Sequence, residues 1–175
     1  MNTANKLTMF RIILIPVVLA VLYLSFPGSN VAAMILFIIA GLTDIADGYI
    51  ARKRGQETDF GRFIDPLADK ILVISAMLWF VEEGDIPAWA MLIVIVREFL
   101  VTGLRLIAVD KGRVIAAAVS GKIKTIVTMV CLTAMFLNLQ EWMITVCIIA
   151  ILVTTVASGV DYFIKNRDII KWDKF

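Results

Sequence analysis

Apolar runs of about membrane-spanning length follow one another along the chain, and the connections between them alternate in the sign of their charge. The first run extends from about Leu7 to Phe26 and stops at the turn cluster Pro27-Gly28-Ser29-Asn30. The second begins near Val31 and ends at Arg52-Lys53-Arg54-Gly55, where basic residues and then glycine mark a helix C-terminus. The third starts at about Thr58-Asp59, with Thr58 as N-cap, and reaches Val81 before the acidic turn Glu82-Glu83-Gly84-Asp85. The fourth opens at Pro87 and continues to about Val109. A basic connection, Asp110 to Lys124, leads into a fifth run from about Ile123 to Leu137, and Asn138-Leu-Gln-Glu141 turns the chain into a sixth, Trp142 to Ile164. All 17 Lys and Arg belong to the N-terminus, the 2–3 and 4–5 connections, the C-terminus, or helix portions on that same side, with Arg97 the deepest. The 1–2, 3–4 and 5–6 connections hold Glu82, Glu83, Asp85 and Glu141 and no cation. Under the positive-inside rule this alternation predicts six transmembrane helices with both termini cytoplasmic. Trp79, Trp89 and Trp142 flank the outer turns, as an interfacial belt requires.

The bulk numbers agree. At 61% apolar and a mean hydropathy of +0.91, the chain lies well above the roughly 45–50% apolar content of ordinary domains. Its 175 residues suit a single all-α, polytopic membrane domain. The first run outlasts a signal peptide's apolar core and Ser25-Phe-Pro-Gly28 is no cleavage site, so it reads as a retained helix. Cys131 and Cys147 sit inside apolar runs and read as small buried hydrophobes. No histidine is present, which removes the commonest general base and the commonest zinc ligand. A formal charge of +2 gives no reason to expect a nucleic-acid partner.

Against this background four aspartates stand out: Asp44, Asp47, Asp65 and Asp69. A carboxylate at membrane depth costs roughly 2.5–3.5 kcal/mol even on lenient insertion scales, so four of them need a common reason. Asp44 and Asp47 are three apart and Asp65 and Asp69 four apart, so each pair shares a helix face. A short turn near Gly55 makes the two helices antiparallel and brings both pairs toward the cytoplasmic boundary. All-oxygen ligation points to a hard ion, Mg2+ or Mn2+, and two ions roughly 3.5–4 Å apart suit four carboxylates and a phosphoryl substrate. Gly48 and Ala51 leave a recess on the same faces, or else serve close helix packing. Arg52 can fork onto a phosphate there, or snorkel as a positive-inside residue. Pro66 removes a backbone donor and disfavours helical geometry at Asp65, so a bend is expected.

The run Asp44-x2-Asp47-Gly48-x2-Ala51-Arg52-x8-Gly61-x3-Asp65-x3-Asp69 resembles the signature of the CDP-alcohol phosphatidyltransferases at all eight of its positions. The resemblance implies that Asp44, Asp47, Asp65 and Asp69 bind the metals and that Asp69 is also the catalytic base. It implies that Gly48, Ala51, Arg52 and Gly61, with Asn5 and Thr8 of the Asn5-Lys-Leu-Thr8-x2-Arg11 segment, receive CDP-diacylglycerol. Further segments, Arg97-Glu98-Phe-x2-Thr102-Gly-Leu-Arg105, Gly121-Lys122-Ile-Lys124-Thr125 and Phe63-Ile-Asp65-Pro-Leu-Ala-Asp-Lys70, are similar to the branch of that family that uses sn-glycerol 3-phosphate. Thr3-Ala4 departs from the Ile-Pro usual there. A homodimer in the cell membrane, with its active site toward the cytoplasm, is also implied.

The physics of the second half is compatible with a phosphorylated acceptor. Arg97, Thr102 and Arg105, with Lys122 and Lys124 opposite, can form a cationic pocket for a dianionic phosphate. Arg97 and Glu98 lie too deep to be idle, and a structural ion pair is the other reading of them. Lys111 and Arg113 suit anionic headgroups. The expected reaction is in-line transfer of the phosphatidyl group to the sn-1 hydroxyl of glycerol 3-phosphate, with release of CMP and no covalent enzyme intermediate. Another family reaction, such as cardiolipin or phosphatidylinositol phosphate synthesis, is the alternative. A divalent-cation transporter would explain the aspartates but not Arg52, which would repel the ion.

Overall fold

The turn signals that separate the apolar runs are where the helices end. The computed structural model describes residues 3–54, 59–113, 115 and 118–168, with side chains 3–7, 44–54, 59–63, 65 and 66 left out of that description. The helices are α1 (Thr3–Tyr23), α2 (Ser29–Arg54), α3 (Asp59–Glu82), α4 (Ala88–Asp110), α5 (Val119–Met135) and α6 (Glu141–Lys165). Among the described residues there is no strand. Gly84 (φ +87°) and Asn138 (φ +53°) take the left-handed conformation in two of the expected turns, which glycine and asparagine tolerate best. Thr58 and Gly55, expected as N-cap and turn, lie outside the described residues. Helix α3 runs unbroken through position 66. Helix α5 begins four residues earlier than its apolar run suggests, because the Ala118 carbonyl accepts from the Gly121 and Lys122 amides and closes a first turn there. Lys122 and Lys124 therefore stand on a helix rather than in a connection.

The chain divides into two compact units, one of α1 to α3 with residues 132–139, the other of α4, residues 119–131 of α5, and α6. In the first, α1 packs against both α2 and α3. Its core is Leu14, Ile15, Val18 and Leu22 from α1, Ala33, Phe37 and Ala40 from α2, and Leu72, Ala76, Met77 and Phe80 from α3. Phe136 closes this core, its ring centroid 5.6 Å from that of Phe37 and 5.0 Å from that of Phe80. At one end Tyr23 donates to the Glu82 carboxylate and meets Trp79 edge-on at 5.0 Å, while Asn30 donates to Asn138 at 2.8 Å. In the second unit α4 packs on α6. Val101, Leu104, Ala108 and Tyr162 form its core, covered by Ile115, Ala118 and Phe163.

Large apolar side chains are exposed on every helix, among them Phe10, Ile35, Leu78, Phe99, Ile126 and Val153. Meanwhile Thr8, Arg11, Lys124, Thr128, Thr155 and Ser158 are buried. A helix apolar all round belongs in a core or a membrane. Helix α6 has by itself the length and composition of a bilayer span, with a mean hydropathy of 2.4 over its best window. No other helix does among the described residues, where α1 and α2 offer shorter apolar stretches, 8–23 and 29–43. Charges interrupt the rest, Asp69 and Lys70 in α3 and Arg97, Glu98 and Arg105 in α4.

Phe136 is 1% exposed between two other rings, so Phe136→Ala opens a cavity in the first unit. A loss of about 3 kcal/mol is expected, read as a lowered unfolding midpoint; an unchanged midpoint would contradict this packing.

Candidate active site

Two pairs of aspartates occupy matching levels on neighbouring helices. Helix α2 ends at Arg54 and α3 begins at Asp59, and the two pack against each other after a connection of only a few residues. Asp47 lies about 10 Å before the end of α2 and Asp65 about 9 Å after the start of α3, at the 1.5 Å rise of a helix. Asp44 and Asp69 both lie about 15 Å from those ends by the same measure. The side chain of Asp69 is half-buried, next to Ala68, which is fully buried. The side chains of Asp44, Asp47, Gly48, Ala51, Arg52, Gly61, Asp65 and Asn5 lie outside the described residues. Thr8 is buried in α1, one turn before the wholly buried Arg11. Among the described side chains no three potential metal ligands gather. The residues at the matching levels are all aspartates, a chemistry that fits a hard divalent ion.

The second unit holds a separate polar cluster, and the pattern of α4 explains it. Ala90, Val94, Val101, Leu104 and Ala108 form the buried stripe of this helix, and Arg97 falls in line with them. Its guanidinium is therefore directed into packed surroundings, and its side chain is only 12% exposed. Arg97 Nη1 donates to Glu98 Oε1 at 2.7 Å, and Lys124 Nζ of α5 donates to the same oxygen at 2.9 Å. Burying a cation without an anion is costly, and Glu98 meets that requirement for both. Gly159 of α6 makes the room, since a Cβ there would stand 3.3 Å from Arg97 Cγ, whereas one at Gly121 of α5 would meet its Nη2 at an ordinary 3.8 Å. Among the described residues Arg97 Nε and the hydroxyl of the buried Thr155 have no hydrogen-bond partner.

The other residues expected to hold an acceptor phosphate are placed as follows. Arg105 Nε donates to Tyr162 Oη at 2.9 Å, and its guanidinium carbon lies 5.4 Å from the tyrosine ring centroid. That bond engages one of the five N–H groups of the guanidinium. Thr102 donates to the Glu98 carbonyl at 2.7 Å, and Lys122 is exposed. The structure thus brings Arg97 and Lys124 together around Glu98 and sets Arg105 on Tyr162. Tyr162 was not singled out from the sequence; its signal was a phenol following Asp161 inside an otherwise apolar run. Asp161 itself accepts from Ser120 and from Lys165. Arg113, expected at lipid headgroups, donates to Asp168 and holds that carboxyl below the usual carboxylate range.

Residues 1–157 match the family model of the CDP-alcohol phosphatidyltransferases. The chain belongs to this family. Among its relatives is the CDP-diacylglycerol–glycerol-3-phosphate 3-phosphatidyltransferase of Bacillus subtilis (strain 168), 40% identical over 97% of each chain. A probable phosphatidylglycerophosphate synthase of Mycobacterium tuberculosis (strain ATCC 25618 / H37Rv) is 38% identical over 96% of this chain and 83% of its own. A CDP-diacylglycerol–glycerol-3-phosphate 3-phosphatidyltransferase of Wigglesworthia glossinidia brevipalpis is 31% identical over 98% of both chains. As a CDP-alcohol phosphatidyltransferase the chain is a transferase.

In this phosphatidyltransferase Gly159 is the residue that lets Arg97 lie along α6. Gly159→Val puts a branched Cβ 3.3 Å from Arg97 Cγ and should cost about 1–3 kcal/mol by overpacking. Gly159→Ala should perturb less, and equal melting temperatures for all three proteins would show that the contact is not tight.

Proposed function

We propose that this chain transfers the phosphatidyl group of CDP-diacylglycerol to the sn-1 hydroxyl of sn-glycerol 3-phosphate, forming phosphatidylglycerophosphate and CMP. The observation that carries the reading is 40% identity, over nearly the full length of both chains, to a protein bearing that reaction's name. Supporting it within the chain are the complete eight-residue signature and a cationic second unit. The all-carboxylate set Asp44, Asp47, Asp65 and Asp69 would hold Mg2+ or Mn2+, two ions in this reading. When bound, such ions neutralise the diphosphate and the charge that leaves on CMP.

The chain's own residues do the rest. Gly48 and Ala51 leave backbone open to the nucleotide, Arg52 forks onto the diphosphate, and Gly61, Asn5 and Thr8 complete the donor site. Arg97 and Lys124, with Thr102 and Arg105, receive the acceptor's phosphate, while the exposed Lys122 faces away from Lys124 on α5. Asp69 takes the proton from the sn-1 hydroxyl, and the oxygen attacks the phosphorus that carries diacylglycerol. The bond from that phosphorus to the CMP oxygen breaks, and CMP leaves with the electron pair. No enzyme nucleophile takes part.

The same reading makes the protein a six-span membrane enzyme with both termini and its chemistry at the cytoplasmic face, assembled as a homodimer. The charge alternation between apolar runs, the large apolar side chains exposed on each helix and the span-like α6 support the membrane part. Glycerol 3-phosphate is polar and cytoplasmic while the acyl chains stay in lipid, so a site at that boundary lets both arrive without either leaving its solvent.

The reading is tested by CMP release from purified protein with CDP-diacylglycerol and a panel of acceptors: glycerol 3-phosphate, phosphatidylglycerol, inositol 1-phosphate and serine. Release with glycerol 3-phosphate alone is expected, and release only with another acceptor would move the chain to a different reaction of its family. EDTA should abolish turnover, and added Mg2+ or Mn2+ should restore it. Asp69→Asn should lower kcat by about 10²–10⁴-fold, the range for loss of a positioned base; near-normal turnover would remove Asp69 from that role.

A further inference from the structure

Two buried cations share a single carboxylate oxygen in the second unit. Arg97 Nη1 and Lys124 Nζ, from different helices, both reach Glu98 Oε1, at 2.7 and 2.9 Å, with side chains 12%, 7% and 14% exposed in the order Arg97, Lys124, Glu98. These three side chains carry two positive charges and one negative. Arginine and lysine together offer eight N–H donors, and a carboxylate about four lone-pair sites, so the trio favours a further anion. Arg97 Nε, buried and unpartnered, is a donor already turned away from water. Gly159 leaves room for the arginine's stem, where a Cβ would stand 3.3 Å from Arg97 Cγ, and Gly121 lies beside its Nη2. A carboxylate held this way occupies the same donors that a phosphate would use.

We infer that Glu98 is a built-in competitor for the acceptor's phosphate and thereby sets selectivity for a dianion. This rests on the reading above that Arg97 and Lys124 receive that phosphate. A phosphate monoester carries about −1.5 to −2 charges at pH 7, and a carboxylate only −1. The dianion therefore displaces Glu98 from the two cations, whereas a monoanion or a neutral alcohol gains too little to do so. Until the acceptor arrives, Glu98 keeps Arg97 and Lys124 neutralised and close together, so the pocket is organised in advance. Affinity is given up for discrimination, because repulsion between Glu98 and the incoming charge remains.

The test is Glu98→Gln, which keeps the shape and one acceptor oxygen but removes the charge. The KM for glycerol 3-phosphate is expected to fall about tenfold, equivalent to about 1.4 kcal/mol, while the KM for CDP-diacylglycerol stays the same. A monoanionic analogue, the methyl phosphodiester of glycerol, should change from a non-inhibitor of the wild type to a competitive inhibitor of the variant. Inorganic phosphate should raise the variant's melting temperature more than the wild type's. A merely structural Glu98 would lower stability without improving phosphate binding, so an unchanged or raised KM, with no added phosphate stabilisation, overturns the inference. If Glu98→Gln does not fold, Glu98→Asp withdraws the carboxylate by one methylene and should also lower the KM; an unchanged or raised KM there overturns it equally. Should the wild type release no CMP with glycerol 3-phosphate, the proposed reaction itself fails, and the phosphate melting experiment still decides the role of Glu98.

Discussion

Charge placed among apolar helices must find a partner, because neither lipid nor a packed interior solvates it. In α4 this constraint is plain: Arg97 falls on the buried stripe between Val94 and Val101, where an unpaired guanidinium would be severely destabilising. Glu98 answers it for Arg97 and for Lys124 alike, and in doing so ties α4 to α5. Gly159 then follows as a steric requirement of α6, since a larger residue there would meet the arginine's stem. The ion pairs, the glycine and the packing of the second unit are one arrangement viewed from different residues.

The first unit solves a different problem. Its core is built from apolar contacts among α1, α2 and α3 with Phe136 inserted between Phe37 and Phe80. The proposed site would set four carboxylates on this scaffold, at matching levels of α2 and α3, and their mutual repulsion would have to be offset. In the proposed reaction hard divalent ions would do so, and would neutralise the anionic diphosphate at the same time. In the proposed reaction, an acceptor pocket rich in cations and a donor site rich in acids would be complementary answers to substrates that are both phosphorylated.

Much of this was legible from residue order. The helices stand where the apolar runs lie because turn residues such as Gly84 and Asn138 admit backbone that few others tolerate. The start of α5 was not legible, since Ala118 to Lys122 shows no apolar periodicity and only the backbone bonds to the Ala118 carbonyl reveal the turn. Glu98 could be read as a partner of its neighbour Arg97, but not of Lys124, which is 26 positions away. Tyr162 was missed for the same reason: its link to Arg105 spans 57 positions and leaves no local trace.

The sequence by itself determined the family, the six helices, the alternation of charge and the four aspartates with their spacing, because each is a local pattern of period, sign or motif. The tertiary structure alone decided which cations meet which anions: Arg97 and Lys124 on one oxygen of Glu98, Arg105 on Tyr162, Arg113 on Asp168. Those pairings depend on how helices rotate and approach, and that is governed by small residues such as Gly159 and by the cost of leaving a buried charge alone.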